Sequence, residues 1–389
     1  MMSNLANIAP VVRGLLAEPT GNQDVPYKSV ILKSLTSKEA IDFANSAKND
    51  ETKQYPASLT KGKNPPLFFS DVDYKSEQET VRKQLSDKIT DYSKQHGNKP
   101  DIVCVQNLGI LYVEQKDDNS YLPLNNKVVL ITGAAGAIGY GICRGLLENG
   151  CHLAATDLPG EKLENFTADL KQIADDRVTG LPIDVTDEES VDRGIESVSL
   201  TWGGIDIVVI NAGIPLVKFL KDINLDDFRR LEKVNVEGTF LTLREIAHHF
   251  IRQGTGGDII IVSTKNVPSP GAGFGAYSAT KAACHQLGRL ASLELAQYGV
   301  RVNMVAPDGV FSEGKYKSGL WAEVGPDRMR ARGLDEKGLQ EYYQNRNLLK
   351  AKITGRHVSN AVLFFATRQT PTTGVTIPVD GGLPDATPR

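Results

Sequence analysis

From residue 127 to the end of the chain, short apolar runs alternate with segments whose apolar residues recur at helical spacing. The runs are rich in β-branched residues and are bounded by glycine or polar residues, as expected of strands buried on both faces of a parallel sheet. They predict seven strands, near residues 128–132, 152–156, 179–183, 206–210, 258–263, 300–305 and 375–378. Strands and helices that alternate in this way predict an α/β fold built on a doubly wound parallel sheet.

The amino-terminal part of the chain has a different texture, with few glycines and with lysines and acids interleaved. Its apolar periodicity predicts helices and strands in turn: helices over Asn4–Ala17, Lys38–Ala47 and Gln78–Lys94, and strands over Val30–Leu35, Ile102–Gln106 and Ile110–Val113. The segment Gln115–Asn126 is rich in Asp and Asn and is typical of a linker. We therefore expect a smaller, non-catalytic α/β domain over residues 1–125 and a larger domain over residues 126–389.

The amino-acid composition limits which kinds of partner the protein is expected to bind. The 389 residues are 40% hydrophobic and 23% charged with a net charge of −3, which favours neither nucleic acid nor an anionic membrane as a partner. There is no apolar run of about eighteen residues and no basic-then-apolar amino terminus, so no membrane span and no signal peptide are expected. The four cysteines show no paired spacing, which predicts reduced, buried thiols and a cytoplasmic protein. The six histidines are also scattered, and no metal site is expected.

A glycine-rich turn follows the first strand of the larger domain. Val128–Ile131 leads into Thr132-Gly133, after which further glycines precede a helical pattern. Glycines allow a tight turn and let a pyrophosphate approach the N–H groups at the positive end of a helix. The next strand ends at Asp157, whose carboxylate can accept hydrogen bonds from the adenosine ribose and would repel a 2′-phosphate. These features predict a Rossmann-type site for NAD, with contacts from Gly133, Gly136, Ala137, Ile138, Gly139 and Asp157.

Two later strands end in residues suited to a cofactor. Asp184-Val185 ends the third strand and is placed to contact adenine. Asn211-Ala212-Gly213 follows the apolar strand Ile205–Ile210, and its small residues let the backbone lie against the cofactor. Asn235 lies in a predicted helix, where its side chain is expected to bond a buried water or a backbone carbonyl.

A tyrosine and a lysine at helical spacing form the candidate acid–base pair. Tyr277 and Lys281 are four residues apart, which puts them on one face of a helix. A phenol has a pKa near 10, and a neighbouring ammonium and the positive nicotinamide ring both lower that pKa. A second such pair, Tyr112 and Lys116, stands outside any cofactor motif and is expected to have no catalytic role.

In combination these motifs resemble the short-chain dehydrogenase/reductase family, over residues 127 to 389. The resemblance implies that Tyr277 is the acid/base, that Lys281 is its pKa partner and ribose ligand, and that Asn235 holds the water of a proton relay. It also implies a hydroxyl that polarises the substrate carbonyl, for which spacing favours Thr264 over Ser263. The matching stretches are Thr132-Gly133…Gly139, Asp184, Asn211-Ala212-Gly213, Asn235, Tyr277…Lys281 and Val379-Asp380-Gly381-Gly382.

The sequence departs from the family pattern at two places. Ala137 stands where the simple reductases usually have glycine, with Gly136 before it, a spacing similar to that of sugar-nucleotide epimerases. In Pro307-Asp308-Gly309, where the family commonly has Pro-Gly, the aspartate is expected on the nicotinamide side of the site, with Pro307 against the cofactor.

A narrower resemblance links the chain to bifunctional proteins that join a class II aldolase to a short-chain dehydrogenase, of the rhamnulose-1-phosphate aldolase/lactaldehyde dehydrogenase type. It rests on Ser263–Val267, Tyr343–Lys350 and the ending after Gly382. Residues 20–115 resemble a shortened aldolase domain. Such aldolases need a histidine cluster for their metal, and this region has only His96, so no aldolase activity is expected.

The resemblance implies an NAD-dependent oxidoreductase that interconverts an alcohol and its carbonyl. The substrate would be a sugar, a polyol, a sugar phosphate of the sorbitol-6-phosphate type or a small hydroxyaldehyde, and the assembly a homodimer or homotetramer. The long segment Gly309–Lys350, called the lid segment below, is expected to cover the substrate. Candidate substrate contacts are Lys265, Asn266 and Asp308. Two alternatives stay open: an NAD-binding sensor or structural protein without turnover, and a sugar-nucleotide epimerase.

Overall fold

The structure, a computed structural model, describes residues 4–46, 56, 59, 64–74, 76–114, 122–312, 314–316, 318, 321 and 325–384. The chain divides into two compact units. The first comprises Met1–Tyr121, Ile195–Ile205 and His248–Gly256, and the second comprises Leu122–Gly194, Asp206–Ala247 and Gly257–Arg389. The assignment of residues 1–125 and 126–389 as two domains stays a prediction.

The first unit contains a mixed sheet of four strands in the order β3-β6-β5-β4, with β4 and β5 parallel and the other pairs antiparallel. Its described strands are β1 (Glu18–Pro19), β2 (Tyr27–Lys28), β3 (Leu32–Leu35), β4 (Leu67–Phe69), β5 (Ile102–Val105) and β6 (Gly109–Val113), and its helices are α1 (Leu5–Leu16), α2 (Lys38–Ala44) and α3 (Gln78–His96). The predicted elements of this region are confirmed with slightly different ends. Strand β4 was not expected, because three residues are too few to show a period.

Two arginines tie α1 and α3 to other segments of the first unit. Arg13, only 2% exposed, donates from Nε to the Val30 carbonyl (2.8 Å) and from Nη1 to Oε1 of Gln253 (3.4 Å). Arg82 donates from Nη1 to the carbonyls of Arg252 (2.8 Å) and Gln253 (3.2 Å). Carbonyls at the end of a helix lack intrahelical partners, so Arg82 satisfies groups that would otherwise need water.

The second unit is built on a parallel sheet of seven strands in the order β13-β12-β11-β10-β7-β8-β9. The strands are β7 (Val128–Ile131), β8 (His152–Asp157), β9 (Val178–Pro182), β10 (Ile207–Ile210), β11 (Gly257–Val262), β12 (Val300–Pro307) and β13 (Thr376–Val379). All seven predicted strands are confirmed, and so is the doubly wound α/β fold. The strand order reverses between β7 and β10, and the loops that leave the strand ends on either side of such a point enclose a crevice.

Helices follow these strands along the chain. They are α4 (Ala137–Glu148), α5 (Glu161–Ala174), α6 (Glu188–Trp202), α7 (Leu225–Leu231), α8 (Gly238–Gln253), α9 (Gly275–Leu295), α10 (Gly325–Arg332), α11 (Glu336–Asn345) and α12 (Gly355–Ala366). A π-helical turn, Glu232–Glu237, lies between α7 and α8. In the lid segment, Phe311, Leu339 and Tyr343 form a small apolar cluster of their own. Among the described helices, none is both long and apolar enough to cross a membrane.

Candidate active site

The turn between β7 and α4 is shaped by its glycines. Gly133 has a φ of +60°, and a Cβ at this position would lie 2.6 Å from Cα of Ala212. A Cβ at Gly139 would lie 2.1 Å from the carbonyl oxygen of Ala134. Gly136, by contrast, has no atom within 4 Å of the place where a Cβ would be, and it caps α4 and borders a cleft. The open space at Gly136 lies beside the first N–H groups of a helix, which lack intrahelical acceptors, so a diphosphate fits there.

Asn211 and Thr132 hold this turn against the end of β10. Nδ2 of Asn211 donates to the carbonyls of Gly133 (2.6 Å) and Thr132 (3.2 Å). Oγ1 of Thr132 accepts from the backbone N–H groups of Asn211 (3.1 Å) and Ala212 (3.2 Å). The asparagine therefore fixes the backbone conformation of the glycine turn.

Two aspartates stand at the ends of β8 and β9. Asp157 accepts from the N–H of Ala135 at Oδ2 (2.9 Å) and from the N–H of Leu158 at Oδ1 (2.9 Å), and Nζ of Lys162 lies 3.8 Å from Oδ2. Asp184 accepts at Oδ1 from the N–H (2.9 Å) and the hydroxyl (2.8 Å) of Thr186. The Asp157 carboxylate is thus joined to the glycine turn, whereas the Asp184 carboxylate shapes its own loop.

A cleft of about 1360 Å³ lies over these strand ends. All but one of the site residues predicted from the sequence border this cleft. They are Gly133, Gly136, Ala137, Ile138, Gly139, Asp157, Asp184, Val185, Asn211, Ala212, Gly213, Ser263, Thr264, Lys265, Asn266, Tyr277, Lys281, Pro307 and Asp308. The exception is Asn235, which is fully buried in the π-helical turn.

The Asn235 carboxamide joins the loop after β10 to α9. Its Oδ1 accepts from the N–H of Ile214 (2.9 Å), while Nδ2 donates to the Ile214 carbonyl (3.1 Å) and to Oγ1 of Thr280 (3.0 Å). The Cys284 thiol donates to the Asn235 carbonyl oxygen (2.9 Å). Both amide hydrogens therefore serve the protein frame, and the sequence expectation of a backbone carbonyl partner is confirmed.

Tyr277 and Lys281 lie in the first two turns of α9. Lys281 is buried, and its Nζ donates to the Val262 carbonyl at the end of β11 (3.1 Å). The half-buried Tyr277 has its ring centroid 6.1 Å from that of Phe274. The second tyrosine, Tyr112, lies on β6 of the first unit, where burial, aided by the charge of Glu114, raises its pKa. Its proposed partner Lys116 lies outside the described residues.

Ser263 and Thr264 both border the cleft, but their hydroxyls have different partners. Oγ of Ser263 lies 3.1 Å from Nδ1 of His285, and Nε2 of that histidine lies 3.4 Å from Oγ1 of Thr376. Oγ1 of Thr264 accepts from the N–H of Asn266 (3.3 Å), which leaves its own hydrogen available to donate. Since Ser263 is engaged with a histidine of α9, Thr264 is the better donor towards the cleft.

The candidate substrate residues form a polar end of the cleft. Asn266 is 6% exposed, and its Oδ1 has no hydrogen-bond donor among the described residues. Nζ of Lys265 donates to the Ser269 carbonyl (3.2 Å). Asp308 forms an ion pair with Arg346 of the lid segment, with 3.0 Å between Nε and Oδ2 and a second contact between Nη2 and Oδ1. Burial opposes the charge of Arg346, but Asp308 outweighs it and raises the pKa of the guanidinium.

The start of the lid segment contacts the helices beside the glycine turn. The Tyr316 ring stacks on Tyr140 of α4, with 4.3 Å between centroids, and packs edge-on against Phe166 of α5 at 5.2 Å. The Tyr316 hydroxyl and the Lys315 ammonium both contact the Asp169 carboxylate. Hydrogen bonds from Lys315 and Tyr316 lower the pKa of Asp169.

Several residues of the site were missed by the sequence analysis. His285 follows Lys281 by four residues, so helical spacing alone could have placed both on one side of α9. The Asp308–Arg346 pair spans 38 residues, and only the fold brings its members together. Within the described residues, no group of three or more His, Cys, Asp or Glu side chains is placed to hold a metal.

A parallel sheet with a glycine turn, an acidic residue after the second strand and a tyrosine–lysine pair on one cleft defines a nucleotide-binding oxidoreductase. The short chain dehydrogenase family model matches residues 127–321. The chain belongs to this family.

Individual relatives agree with this assignment. The chain is 34% identical over 267 residues to an uncharacterized oxidoreductase, YuxG, of Bacillus subtilis, a match that covers 68% of this chain and only 38% of that protein's length. It is 29% identical to sorbitol-6-phosphate 2-dehydrogenase of Escherichia coli, over 66% of this chain and 98% of the relative. The crystal structure of sorbitol-6-phosphate 2-dehydrogenase SrlD from Erwinia amylovora superposes with a TM-score of 0.60 and 28% identity, over 66% of this chain and 98% of that one.

Proposed function

We propose that the protein is an NAD-dependent dehydrogenase that interconverts an alcohol and its carbonyl on a sugar, a polyol, a sugar phosphate or a small hydroxyaldehyde. The observation that carries this proposal is that Tyr277, Lys281 and Thr264 border the same cleft as Asp157 and the glycine turn. The names of the sorbitol-6-phosphate relatives support a polyol-like substrate.

The preference for NAD is argued from Asp157. Its carboxylate borders the cleft and is fixed by two backbone N–H groups. A fixed carboxylate can accept from ribose hydroxyls and repels a 2′-phosphate. The glycine turn, with its open space at Gly136, suits the diphosphate.

In the oxidising direction, Tyr277 takes the proton of the substrate hydroxyl, and Lys281, one turn further along α9, is proposed to bind the ribose of the cofactor. Thr264 donates a hydrogen bond to the same oxygen as charge develops on it. The nicotinamide, when NAD is bound, supplies the hydride acceptor. Asn266 offers its free Oδ1 to another substrate hydroxyl. The proposed role of Asn235 is to position α9, and thereby Tyr277 and Lys281, against the loop after β10.

We further propose that residues 20–115 are a non-catalytic remnant of an aldolase domain, as the narrower resemblance implies. The assembly is proposed to be a homodimer or homotetramer. The four cysteines are buried and free of disulfides, which supports a reducing compartment such as the cytoplasm.

A dehydrogenase screen of the full-length protein tests the proposal. NADH formation is followed with NAD and a panel of aldoses, polyols, their phosphates and short hydroxyaldehydes. We expect NADH in proportion to the substrate consumed. A sensor would give no NADH, and an epimerase would convert a sugar nucleotide without net reduction of the cofactor, so either result would contradict the proposal.

A further inference from the structure

The lid segment presents two guanidinium groups to the cleft. Arg328 and Arg332 are four residues apart on α10, so they lie on one face of the helix, and both border the cleft. The described carboxylates form no ion pair with either of them. Their contacts are aromatic: the Arg328 guanidinium lies 4.7 Å from the centroid of Phe274, and that of Arg332 lies 4.1 Å from the centroid of Tyr342.

Arg328 is oriented rather than free to swing. Its Nη2 donates to the Tyr343 hydroxyl (3.1 Å), and its guanidinium lies over the ring of Phe274, the residue whose ring neighbours that of Tyr277. A guanidinium has five N–H donors, so several stay available for a ligand. Arg328 therefore stands one aromatic ring away from the catalytic tyrosine, at the substrate end of the cleft and not at the glycine turn.

The other charges that the structure describes at this end do not cancel the two arginines. Asp308 is the nearby carboxylate of the substrate end, and Arg346 already neutralises it. Among the described residues that border the cleft, lysines and arginines outnumber aspartates eight to four, although the whole chain carries a net charge of −3. The positive field is thus concentrated in the cleft, where it attracts anions.

We infer that Arg328 and Arg332 form a subsite for a phosphate monoester at the far end of the substrate from the reacting carbon. The inference rests on the proposed dehydrogenase function and narrows its substrate to a phosphorylated polyol or ketose. Two arginines match a dianion and its several acceptor oxygens better than they match a carboxylate of single charge. Oδ1 of Asn266 accepts a hydrogen bond from a hydroxyl between the two ends of such a substrate.

The test compares matched substrates in the full-length protein. Values of kcat/KM are measured with NAD for sorbitol, sorbitol 6-phosphate and gluconate, in the wild type and in Arg328→Gln, Arg332→Gln and the double variant. We expect the wild type to prefer the phosphate over sorbitol by roughly 100-fold or more, since each charge-assisted hydrogen bond contributes about tenfold or more. Each single variant should lower the ratio of kcat/KM for sorbitol 6-phosphate to kcat/KM for sorbitol. Arg328→Gln should lower it more than Arg332→Gln, because Arg332 is more exposed. The double variant should bring the ratio to about one.

Arg330→Gln is the matched control. It removes the same charge from the same helix, but Arg330 lies two residues from each of the others and does not border the cleft. The ratio should stay within about twofold of the wild type in this variant. An equal loss in Arg330→Gln would show a general field effect and overturn the subsite, as would a ratio that survives in the double variant. A preference for gluconate would overturn the assignment to phosphate.

A binding measurement separates this inference from the proposed function. Inorganic phosphate is titrated into the full-length protein and followed by phosphorus NMR line broadening. Binding that is present in the wild type and in Arg330→Gln, and at least tenfold weaker in the double variant, supports the subsite even if no substrate reduces NAD. Turnover of sorbitol and sorbitol 6-phosphate at equal kcat/KM would support the proposed dehydrogenase function but contradict the phosphate subsite.

Discussion

Asp308 and Arg346 form a two-pronged ion pair at the floor of the cleft, 5% and 17% exposed respectively. The guanidinium also lies over the Tyr343 ring, 4.2 Å from its centroid. The aspartate follows β12 directly, and the arginine follows α11, so the pair joins the lid segment to the end of a strand. A neutralised aspartate can stand beside an anionic substrate without repelling it.

The first prediction concerns this pair. Asp308→Asn and Arg346→Gln should each lower the free energy of unfolding by about 3–5 kcal/mol, because each leaves a buried charge without its partner. The double variant should be more stable than either single variant. The measurement is denaturant unfolding of all four proteins. Additive losses in the double variant would show that the two side chains do not act as a pair.

Cofactor choice should depend on Asp157. We expect NAD to bind at least tenfold more tightly than NADP, a difference of about 1.4 kcal/mol, because the carboxylate repels a 2′-phosphate. Asp157→Ala should narrow the difference. Isothermal titration calorimetry with both cofactors provides the measurement, and equal or tighter binding of NADP to the wild type would contradict the prediction.

Tyr277→Phe should abolish turnover and leave the affinity for NAD within a few-fold, because only the proton-transfer group is lost. Tyr112→Phe is the control: it removes a hydroxyl from the other Tyr-x-x-x-Lys pair, in the first unit, and should leave kcat unchanged. Steady-state kinetics and NAD titrations of both variants decide. Equal losses of activity would refute the choice of Tyr277.

The two neighbouring hydroxyls should differ in importance. Thr264→Val is expected to lower kcat roughly 100-fold or more, as for other single oxyanion donors. Ser263→Ala should lower kcat much less, because the Ser263 hydroxyl forms a hydrogen bond with His285. A larger loss in Ser263→Ala than in Thr264→Val would reverse the assignment.

The last prediction concerns the amino-terminal region. Deletion of residues 1–120 should preserve NAD binding, since none of the described residues that border the cleft belongs to this region. It should lower the melting temperature or change the oligomer, because Gln253 and the carbonyl of Arg252 lose their arginine partners and the buried Trp202 loses the Lys33 side chain that lies over its ring. Calorimetry and mass in solution test this. Lost NAD affinity with an unchanged assembly would show that the region helps to build the site.

Elements and site residues could be predicted from the sequence where they depend on neighbouring residues in the chain. The strand Val128–Ile131 is buried on both faces, so it appears as a continuous apolar run, and the glycines after it mark the turn directly. Tyr277 and Lys281 were found because helical spacing is a local property. The π-helical turn at Asn235 was not foreseen, because its carboxamide depends on Ile214 and Thr280, which are distant in the sequence. The roles of Arg328 and Arg332 depend equally on aromatic partners that only the fold supplies.

The lid segment contacts both ends of the cleft, so NAD and substrate would influence each other's binding if either ligand altered these contacts. Its beginning, at Tyr316, touches the helices beside the glycine turn, and its end, at Arg346, touches Asp308 at the substrate end. If NAD strengthens the first set of contacts and thereby favours the second, substrate must strengthen NAD binding by the same factor. Linkage of this kind is an equilibrium property, so a substitution at Tyr316 should alter the apparent affinity for the substrate as well as that for NAD.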